Sequence, residues 1–474
     1  MLSQTAKSNR ASWLHSPAIW AAQTYATAAL PDQRLNARLV QTAALLAARP
    51  SDSIPQAGET WAQSKGIYRM IENDRVSAEQ LLQPVYEATA KRCAGAPVIL
   101  AVQDTTSLNY TSLRQTEGLG PIDSGQARGL LLHSTLAVRA DGVPLGVLHA
   151  QSWARAAEGE RSAPQRKQRP IEEKESAKWL RGMSGAQAVL QRCVPAASRP
   201  RLIHIQDREG DIHEVLQAVV EAGEGCVIRC EHNRRVQGPE ESIAYAHEQV
   251  RQAPVLGRLQ LAVPRKPGQV QRTAEVELRS LAMTLSPCRQ RHPNRRPLRL
   301  TLVEVWESDP PPDVQPLHWL LWTTEPAATR EQVLTVVQWY RQRWQIEEVH
   351  LALKSGCRIE SLQFDTAERL RKALAIYLPI AVRIVQLRSL ARVEPESPCT
   401  TVLSEDEWRT LWISIHRKRP PANTRPPTLR QAVLWIGRLG GHLGRKGDGM
   451  PGVRTLWRGW RDLQVRLVIY QARA

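Results

Sequence analysis

The chain has 474 residues, enough for two or three domains around one sizeable core. Its 64 Lys and Arg against 46 Asp and Glu give a formal charge of +18, which favours a nucleic-acid partner held through its phosphates, although ribosomal and membrane-surface proteins share such a balance. No uninterrupted apolar run reaches the ~18 residues of a membrane span. The opening MLSQTAKSNRASWLHS lacks the apolar stretch of a signal peptide, so the expected location is the cytoplasm, with no membrane partner.

Seven scattered cysteines fit a reducing compartment. Cys226 and Cys230, with His232 nearby, suggest a metal site, but GCVIRCEH alternates like a strand and would hold the two sulfurs ~13 Å apart. That is too far to share one zinc ion, so buried thiols are expected. The aromatic inventory is 15 Trp, 8 Tyr and 1 Phe. Indoles offer stacking surfaces for bases, yet at helical spacing they usually belong to a core.

Residues 1–72 read as helical. Ala37–Ala48 is a strong helix former behind Pro31-Asp32, with Arg34 and Arg38 one turn apart, and Thr60–Ile71 carries Lys65 and Arg69. From charge alone these four cations fit a solvated bundle surface as well as a binding face.

Residues 73–390 show strands at Val98–Gln103, Leu130–Arg139, Val143–Trp153, Leu202–Gln206 and Cys226–Glu231, with helices near Glu172–Arg192 and Ile212–Glu221. Three early strands followed by α/β alternation predict an α/β fold with a ribonuclease H-like core. Short alternating runs at Val255–Val263, Thr273–Leu278 and Leu298–Val305 mark a β-rich insertion over about 235–325, with a basic turn at Arg289–Arg296. One helix is then expected from Glu331 to Ser355. Residues 391–474 form a helical C-terminal region behind the linker Glu394–Pro398, with a stiff basic loop at Arg417–Pro427. The segments Leu429–Leu439 and Thr455–Tyr470 are amphipathic enough to pack against a partner.

The stretch YRQRWQIEEVHLALK carries the densest chemistry. On a regular helix Tyr340, Arg343, Glu347 and Lys354 fall inside a stripe about 60° wide, a carboxylate among cations and a phenol. Such a face suits a metal-bound phosphate ester; an ordinary solvated face with salt bridges has the same make-up. Glu348 points ~100° away. Asp104 and Asp207 each end a short apolar strand, where the chemistry of open α/β sheets gathers, although either alone fits a turn or an N-cap. Asp104, Asp207 and Glu347 are three hard oxygen ligands of the kind Mg²⁺ or Mn²⁺ prefers.

QDTTSLNY around Asp104, DREGDIHEVL from Asp207 and the Tyr-Arg-Glu-Lys spacing resemble the DDE transposases of bacterial insertion sequences, specifically the insertion-sequence-four family and its Tn5-like members. VSAEQL, EKESAKWL, HWLLWTTEP, LGGHLG and LWRGW extend the likeness over nearly the whole chain.

The resemblance implies cut-and-paste transposition. Residues 1–72 would grip the terminal repeats through Arg34, Arg38, Lys65 and Arg69, residues 73–390 would cut and join, and residues 391–474 would dimerise. It makes Asp104, Asp207 and Glu347 the ligands of two divalent ions per active site. Tyr340, Arg343 and Lys354 become phosphate contacts, and Trp319 the platform for a flipped base, although Trp319 alternates with Leu321 as a core strand would. Arg208 and Arg229 match active-site arginines and equally fit fold-stabilising ones. The partners are double-stranded DNA and a second copy in the synaptic complex, with the protein on the nucleoid when bound. Two departures stand out: Leu130 and Leu131 replace aromatics ahead of His133-Ser134, and residues 390–430 match poorly. The rival readings are a structure-specific nuclease on the same core and a non-catalytic end-binding regulator.

Overall fold

The computed structural model describes residues 16–123, 125–156, 169–238, 242–263, 272–287, 295–445 and 448–471. The opening segment and most of the 289–296 turn lie outside them.

The amino-terminal region is a helical layer, Pro17–Thr24, Gln33–Ala48, Ile54–Ala57, Trp61–Ile71 and Ala78–Cys93. Thr60 with Gln63 and Ser77 with Gln80 form capping boxes that fix where two of these helices begin. Leu39, Leu46, Ile67 and Met70 face inward and join the main core.

One large mixed sheet follows. Its strands are β1 (Val98–Asn109), β2 (Gly120–Pro121), β3 (Arg128–Arg139), β4 (Pro144–Trp153), β5 (Arg201–Gln206), β6 (Gly225–Arg229), β7 (Arg235–Gln237), β8 (Ile243–Tyr245), β9 (Gly257–Val263), β10 (Arg272–Leu285), β11 (Leu298–Trp306) and β12 (His318–Thr323). β4, β3 and β1 lie side by side and antiparallel, then β5 and β6 run parallel to β1. The expected insertion is not a separate β unit. β12 pairs with β6 through Thr323 and Val227, so β11 and β10 continue the same sheet.

Two sequence expectations need correction. β1 does not stop at Gln103: it stays paired with β3 from Ile99 to Asn109, so Asp104 sits within a strand. Gly129 permits this length, because a Cβ there would lie 1.8 Å from the Leu108 carbonyl oxygen. The helix expected over Glu331–Ser355 is instead Arg330–Arg341, then Trp344–Leu351, then a π turn over Ala352–Gly356. Between the first two the chain tightens into i→i+3 bonds, Arg343 N–H to the Tyr340 carbonyl at 3.0 Å and Gln345 N–H to Gln342 at 3.0 Å. At the far end it loosens, with Cys357 N–H donating to Ala352.

The helix Ala367–Val393, to which the sequence reading assigned no element, is the axis of the core. It is long and apolar enough to cross a membrane, but 94% of its apolar window is buried inside the protein. The helices Glu405–His416, Leu429–Leu439 and Val453–Gln471 pack around a second cluster built on Trp408, Leu411, Ile436 and Trp460.

Candidate active site at the β1–β5 edge

The parallel register of β1 and β5 sets Val102 opposite Ile205. Two residues further along each chain come Asp104 and Asp207, the second just past the end of β5 and near enough to raise the first. The segment Trp344–Leu351 packs against β1 and brings Glu347 to them. Asp207 and Glu347 thus come near enough to act on the charge of Asp104.

Their electrostatics show it. The Asp104 carboxyl is pushed up to about 7, first by burial and then by the negative charges of Asp207 and Glu347. Asp207 is raised by burial and by Glu209. One Asp207 oxygen also accepts the Glu209 N–H at 2.9 Å, capping the short turn Arg208–Gly210. Arg343 supplies the local positive charge. Its Nη2 lies 2.5 Å from Glu347. Burial opposes the Arg343 charge, but Tyr340, Glu347 and Asp104 more than offset that, and its pKa is raised.

Among the described residues no three His, Cys, Asp or Glu side chains stand close enough to enclose an ion. The cause is visible, since Glu347 is turned to Arg343. The residues nevertheless fit a divalent cation. They are oxygen donors, half-buried, with a surplus of negative charge that raises Asp104 and that one guanidinium only partly balances.

The flanking residues sort themselves. Tyr340 is buried and hydrogen-bonded to Arg229, beside Arg343, and Trp319 packs edge-on against it at 5.4 Å. Tyr340, Arg229, Arg343 and Trp319 therefore form one patch next to Asp207. Trp319 is half-buried, a wall of the site and part of the core at once. Lys354 lies in the π turn, near enough to lower the pKa of His350. Glu348 pairs with Arg388 on the long helix, away from Asp104. Arg208 is exposed and pairs with Glu231 at 3.3 Å, outside the patch. Leu130 and Leu131 are buried in β3 and cannot meet a ligand.

Arg34, Lys65 and Arg69 are exposed and Arg38 half-buried on the amino-terminal helices, and none of the four is in an ion pair among the described residues. They are not brought to the acids. Cys226 and Cys230 are buried, and burial pushes the Cys226 thiol up to about 12.

Sequence reasoning missed a polar chain behind Asp104. Ser134 faces Asp104 across the β1–β3 pair, and its Oγ lies 3.1 Å from His350 Nε2. His350 Nδ1 is 3.9 Å from Asp104 Oδ2, and burial, with Lys354, brings its pKa down to about 3. On the other side Thr105 N–H donates to Asp104 Oδ1 at 2.8 Å, and Thr105 Oγ1 contacts His133 Nδ1 at 2.9 Å. The adjacent His133-Ser134 pair was the only local signal. Its reach to Asp104 exists only through the strand register.

Three family models match parts of the chain. Residues 17–76 match a model described as Transposase DNA-binding, residues 154–381 one described as Transposase DDE domain, and residues 379–473 one described as Transposase Tn5 dimerisation domain. Arg34, Arg38, Lys65 and Arg69 fall in the first match. Asp207, Trp319, Tyr340, Arg343, Glu347 and Lys354 fall in the second, and Asp104 lies ahead of it. The third holds the last helix, whose Val465, Val468 and Ile469 are about half exposed.

Proposed function

From the premise that this chain joins transposase DNA-binding, DDE and Tn5-type dimerisation domains, we propose that it is a cut-and-paste transposase of the insertion-sequence-four family. The DDE domain implies dependence on a divalent metal; Mg²⁺ or Mn²⁺, two ions per site, is our reading. The strand order β4-β3-β1-β5-β6 supports a ribonuclease H-like core, and we divide the chain at about 72 and 390. What supports the proposal is the approach of Asp207 and Glu347 to Asp104, near enough to act on its charge, beside the Arg343 guanidinium and the Tyr340 phenol.

Bound between these carboxylates, the metal would activate the attacking oxygen and neutralise charge on the phosphate. The chain's own residues do the rest. Asp104 and Asp207, fixed by Thr105 and Glu209 N–H groups, hold their oxygens at the sheet edge. Glu347 would hold the metal together with Asp104 and Asp207, and Arg343, which pairs with Glu347, would then be available to a phosphate oxygen. Tyr340 and Arg229 brace it, Lys354 meets the strand further along the helix, and Trp319 receives a displaced base. The same geometry serves each in-line displacement: release of the 3′-hydroxyl, hairpin formation, hairpin opening and joining to target DNA. Arg34, Arg38, Lys65 and Arg69 hold the terminal repeat. The exposed apolar face of the last helix meets a second copy of the chain in the synaptic complex, in the nucleoid of a bacterial cytoplasm.

A strand-transfer assay tests this. With Mg²⁺, duplexes carrying the inverted repeats that flank the reading frame should be nicked, converted to hairpins and joined to plasmid DNA. Cleavage with no joined product favours a structure-specific nuclease, and binding with no nick favours a non-catalytic regulator.

A further inference from the structure

Where the π turn at the end of the catalytic helix meets the last helix, a cleft of about 260 Å³ opens. Leu351, Ala352, Ser355 and Gly356 line one side, and Arg454, Trp457 and Arg458 line the other. Close packing shapes it, since a Cβ at Gly356 would lie 2.9 Å from the Trp457 ring. Its polar groups are donors with one sign of charge. Arg454 and Arg458 are exposed, one helical turn apart, and in no ion pair among the described residues, whereas Arg461 on the same helix pairs with Asp52 at 3.2 Å. Ser355 adds a hydroxyl. Trp457 is 5% exposed, and its Nε1–H is buried without a hydrogen-bond partner. Two unpaired guanidinium groups beside a hydroxyl call for an acceptor that is anionic.

We propose that this cleft binds a backbone phosphate of the DNA strand leaving the active site. The proposal rests on the transposase reading and extends it. The dimerisation domain would then also be part of the DNA path, contributing two arginines to a track that begins at Lys354 in the same π turn. A duplex phosphate is the occupant the position favours, because the cleft lies at the end of the segment that carries Glu347 and Lys354. The site also makes chemical sense of the π turn. The extra residue in that turn widens the helix end, where the Trp457 ring packs against Gly356.

The test is the salt dependence of binding to a duplex carrying the flanking inverted repeat. Each phosphate contact contributes about 0.9 to the slope of log affinity against log salt. The double variant Arg454→Ala/Arg458→Ala should lower the slope by about 0.9. Arg454→Lys/Arg458→Lys should keep it. A slope equal to wild type in the double alanine variant overturns the inference. Failure of the wild-type protein to bind or nick the same duplex would instead overturn the transposase reading.

Discussion

The one sheet buries acids in two ways. In the half formed by β6 to β12, each buried carboxylate is clamped by arginine. Asp211 is held by Arg234 at 2.6 Å, Glu304 by Arg251 at 2.7 Å, Glu307 by Arg272 at 2.7 Å and Glu325 by Arg201 at 2.7 Å. Glu304 and Glu307 are held below the usual carboxylate range, Glu307 chiefly by its hydrogen bond to Arg272; at Glu304 burial opposes the shift, and His318 and Arg251 outweigh it. At the β1–β5 edge, Asp104 and Asp207 have no such clamp and are raised. Burial alone does not single out a functional acid. A buried carboxylate whose charge the fold leaves unmatched does, because the protein keeps that cost for a ligand to relieve.

The comparison can be broken most sharply at its functional end. Asp207→Ala and Glu347→Ala should bind terminal repeats like wild type and cut them slower by a factor on the order of 10³ or more, read in a nicking assay. Retained cutting would remove these acids from the chemistry. At the structural end, Arg234→Ala strands Asp211, which is 2% exposed, and should cost about 3–5 kcal/mol in denaturant unfolding. An unchanged midpoint would mean the clamps carry no stability.

Two smaller effects sharpen it. Trp319→Ala should slow cleavage by about tenfold, the worth of one stacked base, without abolishing it. Total loss would show that its packing on Tyr340 matters more than stacking. Asp104→Asn addresses the unmatched charge directly. The folded carboxyl titrates near 7 against 3.8 for the free group, so the native state binds the proton more tightly. The stability penalty therefore vanishes below pH 3.8, grows between pH 4 and 7 and is complete above pH 7. Metal-free Asp104→Asn should melt higher than wild type by about 3 °C at pH 8, a gap that narrows towards pH 4. The reverse order would show that Arg343 already matches the charge.

Much of the site could be read along the chain. The apolar runs before Asp104 and Asp207 mark strands, and the Tyr340–Lys354 spacing marks a helix face, because both patterns follow from local periodicity. Local periodicity could not place the tightened turn at Gln342-Arg343 or the π turn at Ala352–Gly356, which rest on single backbone hydrogen bonds. Nor could it show that β12 returns to β6, since that pairing joins residues nearly a hundred positions apart. The helix Ala367–Val393 was missed because its middle, Ala373–Val382, is apolar all round and shows no one-sided stripe, as suits a buried helix.

The order of residues determined which groups are available: three acids on strong secondary-structure signals, cations at helical spacing and a basic surface overall. Folding decided what each group faces. The pairing of β1 with β5 brought Asp207 near Asp104, and the β3 register set Ser134, which meets His350, opposite Asp104. Charge strength depends on distance and burial, and neither is a property of neighbours in sequence.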